Sequence, residues 1–479
     1  MSGSTKEALK LCLMQLKCHF TWKLLVQDRD PDELEDRFYK QLPFFVTKNK
    51  YMVHNLLAYV MHLRGDHRKA IDHLKKAEEM IEENNPDGTD QKYLVTYGNY
   101  AWVFYYLNQY EDSQKYIDKV EQIYKDHKVK PEMAEIYGEK GWSLSQFSGH
   151  YYEEAKQCLE KVLELEPEDP VWITGYATVV YRLEGFSRKP CPVSLDLLKR
   201  AVQKNPNDAI VKALLALKFQ DLKRTKEGIK YIEEAMEQAP NLPYLLRYVA
   251  KFYRRAGMLD DALSVLKTAV DVNPNSGFQH HQIGLCYRQK YFIHKKKLEN
   301  GKMDCAEWAL EEMNDLIQNT IFHFEKTLEF KKTFVYAYVD LANMYSEAKE
   351  YQKAEDTFKT VLAFPNLVDE EKQQVFHNYG CFMDYHRRSE PEAIRYYKQC
   401  MQIAENTRER AFSEKSLKRI SAKKIRNNIH DAEGYALLGF VYKSNGDRND
   451  AIDCYEKALE YDPHNEEYVS ELCELKLMM

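Results

Sequence analysis

Helix-breaking residues are scarce in this chain: 18 glycines and 15 prolines in 479 positions. No linker or low-complexity stretch separates domains, so nearly continuous helix is expected. Long apolar runs are missing too. Nothing approaches the ~18 residues of a membrane span, and Lys6, Lys10 and Lys17 interrupt the amino terminus before a secretory core could form. A soluble, cytosolic protein is expected. The ten cysteines include no C-x-x-C pair, which favours reduced, mostly buried thiols over metal sites or a disulfide framework. Asp28, Asp30 and Asp32 begin like a calcium loop, but Glu33 stands where the turn glycine belongs and Tyr39 where the bidentate glutamate belongs. There is no P-loop, G-x-S-x-G, H-E-x-x-H or dinucleotide glycine pattern. No cofactor, no metal and no enzymatic activity are therefore expected.

What is present is a repeated register: a small residue, another small residue twelve positions on, a large apolar residue, a small one, then proline. It reads Ala216, Gly228, Ile232, Ala235, Pro240, again Ala250, Ala262, Leu266, Ala269, Pro274, and again Gly439, Ala451, Tyr455, Ala458, Pro463. The first two anchors lie 34 residues apart, the length that two short helices and their turns require in a tetratricopeptide repeat. Ala58, Ala70, Leu74, Ala77 and Ala342, Ala354, Phe358, Val361 keep the register without its proline. Ser143, Ala155, Leu159, Val162, Pro167 keeps it whole, and Ala101, Ser113, Ile117, Val120 is a weaker copy. Gly380, Ala393, Tyr397, Cys400 is slipped by one residue, and Leu198, Ala201, Pro206 is a second half whose first half, near Tyr176 to Arg182, is separated by an insertion. Eight or nine units are expected, in an all-α tetratricopeptide-repeat superhelix, an α-solenoid curled around a central groove. Such positions pack helix on helix and are silent about the ligand.

Charge is unevenly spread. The chain carries a net −6 overall, yet residues 244–302 hold eleven Lys and Arg against four Asp and Glu. Around the anchor Ala250, Tyr244, Arg247, Lys251 and Arg254 fall on one helical stripe; around Gly284 the equivalent stripe is Phe278, His281 and Arg288, with Gln282 beside it. Guanidinium forks bind phosphate oxygens, and Tyr or Phe offers a face to an unstacked base, so this groove suits single-stranded nucleic acid. An acidic peptide fits the same charges equally well, making a protein-interaction scaffold the alternative.

Several longer segments are more specific than the repeat. Cys18-His-Phe-Thr-Trp22, Asn55-Leu-Leu-Ala-Tyr59, Gly175-Tyr176 through Tyr181-Arg-Leu183, Arg247 through Arg255, His280 through Tyr287 and Leu438-Gly-Phe-Val-Tyr442 resemble the interferon-induced proteins with tetratricopeptide repeats, essentially end to end. The ending, Glu471 to Leu477, is most like a member that binds RNA bearing a 5′-triphosphate. The resemblance implies a cytoplasmic innate antiviral effector. It would capture single-stranded RNA by a 5′-triphosphate or related end, such as a cap lacking 2′-O-methylation, and keep it from translation; family members or antiviral signalling proteins would be further partners. It assigns Glu33, Arg37 and Gln41 to the terminal phosphates, Arg182 to phosphate and Tyr152 to the first nucleotide. Tyr244, Arg247, Tyr248 and Arg254 would take the phosphates and backbone that follow, His281 and Gln282 later groups, and Phe334 and Tyr336 the departing strand. Trp142 matches a cap-stacking tryptophan, although a core tryptophan is an equal reading. Lys415, Lys418, Arg419, Lys423, Lys424 and Arg426 resemble a basic stretch that extends RNA contact, with a solvated helix face the alternative.

One departure concerns the ligand. Where the family has a lysine that pairs with triphosphate, this chain reads Gly141-Trp-Ser-Leu-Ser-Gln146. A neutral amide at Gln146 removes a charge-assisted hydrogen bond worth roughly 1.5–3 kcal/mol, which leaves open the ranking of triphosphate, cap and monophosphate ends. Three divisions are expected: 1–133, 134–278 carrying much of the pocket, and 279–479 with a basic inner face.

Overall fold

A computed structural model describes residues 3–24, 35, 38–39, 42, 49–83, 90–126, 134–147, 149–185, 193–300, 307–365, 367–404 and 407–477. Every regular element among them is helical. Backbone contacts divide the chain into a first unit, Met1–Asn273, and a second, Pro274–Met479.

In the first unit α1 (Gly3–Gln15) precedes six helical hairpins: α2 (Lys50–Leu63) with α3 (His67–Glu83), α4 (Tyr93–Tyr106) with α5 (Tyr110–Asp126), α6 (Ala134–Phe147) with α7 (Tyr152–Leu165), α8 (Pro170–Glu184) with α9 (Val193–Lys204), α10 (Ala209–Asp221) with α11 (Thr225–Gln238), and α12 (Pro243–Ala256) with α13 (Leu259–Val272). The second unit pairs α14 (Gly277–Glu299) with α15 (Glu307–Phe330), α16 (Val335–Glu347) with α17 (Tyr351–Leu362) and α18 (Asp369–Phe382) with α19 (Glu390–Gln402). Then α20 (Arg408–Asn427) bridges to the pair α21 (Ala432–Asn445) and α22 (Arg448–Tyr461), and α23 (Glu466–Leu477) follows. The described residues thus form ten hairpins, more than the register counts, because α8/α9 and the long α14/α15 pair depart from the consensus.

The small residues do what the register requires. At Gly228 an added Cβ would lie 2.8 Å from the Ala216 carbonyl oxygen, and at Gly439 it would lie 2.9 Å from the Tyr455 ring. In the weaker copy, the Ser113 hydroxyl donates to the Ala101 carbonyl at 2.8 Å, so a serine substitutes for closeness with a hydrogen bond. The slipped unit also has a cause. A π-turn at Met383–Arg387 takes up one extra residue between Gly380 and Ala393, and the Gly380 position still sits 2.7 Å, Cβ to ring, from Tyr397.

Helix ends follow from local chemistry. Asp169 and Asp208 cap α8 and α10 by accepting from two backbone N–H groups each, and Pro170 and Pro243 occupy first-turn positions where no donor is lost. Turns between paired helices use left-handed residues: Gly65, Gly257 and Gly446, but also Asn108, Lys223 and Lys349, with φ near +60°. The second helix of each pair is amphipathic; α3 buries Ala70, His73, Leu74, Ala77 and Ile81 and turns its charges outward. The first helix is enclosed by neighbours on more sides; α10 buries ten of its thirteen residues. No helix among the described residues is long and apolar enough to cross a membrane.

Candidate nucleic-acid interface

In the first unit the predicted residues come together around one guanidinium. Arg182 lies in the last turn of α8. Its Nη1 donates to the Ser145 carbonyl at 3.0 Å and its Nη2 to the Tyr244 hydroxyl at 2.9 Å. The Tyr244 and Tyr248 hydroxyls are 3.0 Å apart, and Arg247 Nη2 approaches the Tyr248 hydroxyl at 3.4 Å. Ring faces complete the arrangement: Tyr152 lies 5.5 Å from the Arg182 guanidinium, and Tyr244 and Tyr248 lie 4.6 and 5.1 Å from that of Arg247. Spacing explains the gathering. Tyr244, Arg247, Tyr248 and Lys251 are i, i+3, i+4 and i+7 on α12, a single face, while α8 and α6 deliver Arg182 and Ser145 from neighbouring repeats.

The electrostatics favour an anion. Burial opposes the Arg182 charge, but the phenol oxygens of Tyr244, Tyr248 and Tyr152 outweigh it and raise its pKa. Arg247 is raised in the same way, against burial, by Tyr248 and Tyr244. Among the described residues no carboxylate lies within ion-pair distance of Arg182. One turn on, burial and then the neighbouring Arg255 push the Lys251 ammonium down to about 8. Arg255 itself is satisfied by Asp221 at 2.6 Å. Arg182 is therefore a positive charge held, among the described residues, by neutral oxygens and a π face, which an incoming polyanion can neutralise.

Other predicted residues stand nearby or elsewhere. Gln146 donates to the Ser145 hydroxyl at 3.1 Å, next to the residue whose carbonyl holds Arg182. Trp142 is half-buried with its ring 6.1 Å from that of Phe38. Arg254 is half-buried on α12. Glu33, Arg37 and Gln41 lie outside the described residues.

In the second unit, Phe278, His281, Phe334 and Tyr336 form a ring cluster. Phe278 is 5.5 Å from Phe334, His281 meets Phe334 edge-on at 4.8 Å, and Phe334 meets Tyr336 at 6.3 Å. Lys331, absent from the sequence reading, stands 4.2 Å over Phe278. Gln282 is half-buried on the same helix. Here a carboxylate intervenes: Asp340 Oδ2 lies 2.9 Å from His281 Nε2, and Asp340 Oδ1 accepts from Arg288. Burial raises the Asp340 pKa, but Arg288 and His281 outweigh it and hold the carboxyl below its usual range. His281 and Arg288 are thus already paired. Along α20, four of the six basic residues are matched as well: Lys418 by Glu414, Arg419 by Asp384, and Lys423 and Lys424 by Glu390.

Known proteins agree with this architecture. Tetratricopeptide-repeat profiles match residues 51–126, 134–169 and 432–465, and the profile of the Psidin N-terminal tetratricopeptide-repeat region matches 192–299. The human antiviral innate immune response effector IFIT1 is 42% identical over 458 residues, covering 94% of this chain and 95% of that protein. The chain belongs to the interferon-induced proteins with tetratricopeptide repeats. Two solved structures of a human family member are also similar to it. The human IFIT1 dimer with m7Gppp-AAAA matches at a TM-score of 0.85 and 41% identity, over 94% of this chain and 99% of that one. The human IFIT1 dimer with PPP-AAAA matches at 0.81 and 40%, over the same shares.

Within this family member, three participants escaped the sequence reading: the Ser145 carbonyl, Lys331 and Asp340. A backbone carbonyl leaves no side-chain signal. Asp340 lies 59 residues from His281, and no motif links the two positions; only the packing of α16 beside α14 joins them.

Proposed function

We propose that the protein is a cytoplasmic innate antiviral effector that holds single-stranded RNA by its 5′ end and keeps it from translation, acting by binding and not by catalysis. The observation that carries this reading is the Arg182 guanidinium, anchored by Ser145 and Tyr244 and stacked by Tyr152, beside Arg247 and with no carboxylate partner among the described residues. The solved relatives that bear m7Gppp-AAAA and PPP-AAAA support it. Arg182 and Arg247 would take phosphates, Tyr152, Tyr244 and Tyr248 the first nucleotides, and Lys251 and Arg254 the backbone beyond. Phe278, His281, Gln282, Arg288, Phe334 and Tyr336 would contact later positions, with Glu33, Arg37 and Gln41 at the terminal phosphates and Trp142 against a cap base. The three-part division at 133 and 278 is retained on the same footing.

The neutral Gln146 shapes the specificity expected. With one cation fewer, the advantage of triphosphate over capped RNA narrows. The decisive measurement is a competition of 5′-triphosphate, capped, monophosphate and hydroxyl forms of one RNA for the purified chain at two salt concentrations. Triphosphate or cap should win, with affinity falling steeply with salt as counterions are released. Equal affinity for all four ends would reduce the interaction to nonspecific charge, and tighter binding of acidic peptides than of any RNA would establish the scaffold reading instead.

A further inference from the structure

A second ring system lies in the first unit, away from Arg182 in sequence. Phe20 stacks on Trp102 with an interplanar angle of 2° and a centroid distance of 5.8 Å. Its ring also meets His62 at 4.6 Å and Tyr106 at 6.2 Å. His62 stands 4.5 Å from Tyr106, and His67 lies nearly parallel to Tyr106 at 16°. Orientations are mixed: Phe20 is parallel to Trp102, but His62 is tilted by 55° to Phe20 and by 44° to Tyr106, and the cluster reaches the surface, where Tyr106 is 47% exposed. The cluster ends at an open tyrosine in the last turn of α4.

Its charge state suits a particular ligand. The two histidines face each other through Nδ1 atoms 3.3 Å apart, a geometry that only uncharged rings, or one charged ring at most, can hold. Burial, then His67, pushes His62 down to about 4, so His62 offers a neutral π face at physiological pH. Two exposed cations lie near the cluster in space or in sequence. Lys6 stands 5.8 and 5.5 Å over Tyr105 and Tyr110, and Tyr105 adjoins Tyr106 at 5.9 Å. Arg68, next to His67, is exposed. Neither Lys6 nor Arg68 meets a carboxylate among the described residues, whereas Arg64 is matched by Glu35 and Lys69 by Asp66. An open tyrosine ring with exposed cations near it is what an unpaired base and its phosphate need.

We propose that the exposed Tyr106 ring of the Phe20–His62–Tyr106 cluster, with Lys6 and Arg68, is a second contact for single-stranded RNA, on which a base distant from the 5′ end stacks. The site rests on the RNA-binding reading above but makes a separate demand, because an RNA too short to leave the Arg182 cluster does not use it. The cluster also connects inward: Phe20 packs on Tyr59 at 5.2 Å and Tyr59 on Phe147 at 6.3 Å, two residues from the carbonyl that holds Arg182.

The test compares a 5′-triphosphate tetranucleotide with a 5′-triphosphate RNA of several tens of unpaired nucleotides on the full-length chain. Tyr106→Ala should weaken the long RNA by about tenfold, in line with loss of one stacked base, and leave the tetranucleotide unchanged. Tyr106→Phe should restore binding of the long RNA, and Arg68→Glu should weaken it with a smaller salt dependence. Ultraviolet crosslinking of 5-iodouridine-substituted long RNA should mark the peptide that contains Tyr106. Equal affinity of wild type and Tyr106→Ala for the long RNA, with no crosslink in that peptide, would overturn the proposal. Failure of the tetranucleotide itself to bind would instead strike the function proposed for Arg182.

Discussion

At the scale of single residues, the Arg182 cluster behaves as one object. Removing the guanidinium with Arg182→Ala should abolish high-affinity binding of 5′-triphosphate RNA, because the anchoring charge and both of its hydrogen bonds go together. Tyr244→Phe should be milder. It deletes the hydroxyl that accepts from Arg182 but keeps the ring beside Arg247, at a cost of roughly 0.5–1.5 kcal/mol, measurable by fluorescence anisotropy. Lys251 adds a pH dependence with a definite sign. With its pKa pushed down to about 8, the ammonium is charged below that pH and lost above it, so RNA affinity should fall between pH 7 and pH 9. Lys251→Arg should flatten that slope while preserving affinity at pH 7, and an unchanged slope would show that another group titrates.

At the scale of elements, a buried polar bridge ties three neighbouring helices of the first unit. Asn55 on α2 donates to Thr96 on α4 at 3.0 Å and to Glu139 on α6 at 2.9 Å. Burial pushes Glu139 up to about 8, opposed by the Asn55 hydrogen bond. An acid whose folded pKa exceeds its unfolded value binds more protons when folded, so it destabilises the fold progressively as pH rises from about 4.5 to about 8. Glu139→Gln keeps the acceptor for Asn55 and removes the titration. It should raise the unfolding free energy at pH 8, on the order of a few kcal/mol, and little at pH 4.5, as read from denaturant unfolding at the two values. The turns offer a simpler test. Lys223 and Lys349 are held at φ of 60° and 63°, where a β-carbon is disfavoured, so either lysine to glycine should stabilise by roughly 0.5–1 kcal/mol. At Gly284 the sign reverses, since a Cβ would sit 2.5 Å from the Phe324 ring, and Gly284→Leu should destabilise α14 against α15.

Over the whole molecule, stability is a sum over neighbouring repeats. Hydrogen exchange on Gly284→Leu should therefore show lost protection in α14, α15 and the adjoining helices of the second unit, with α2 to α7 of the first unit nearly unchanged. Uniform loss across all helices would mean one cooperative block. Most repeats were legible because close helix approach forces small residues to fixed intervals, though the long α14/α15 pair was not counted; even the one-residue slip at Gly380 to Ala393 was visible, although its cause, a π-turn, was not. The stripe Tyr244, Arg247, Tyr248, Lys251 could be read from helical spacing alone. Which partners those residues meet could not: Arg182 reaches Tyr244 across 62 positions and Ser145 across 37.

The sequence by itself determined the helices, their pairing and the faces on which cations and rings lie, since these follow from 3.6-residue periodicity and from small residues where backbones touch. Tertiary structure alone decided which cations keep their charge available. Arg288 and His281 share Asp340, four lysines and arginines of α20 are matched by carboxylates, and Arg182 is held by neutral oxygens instead. The reason is range: a backbone repeat is set by contacts within some forty residues, whereas the field at a side chain is set by whatever group the folded stack brings within a few ångströms.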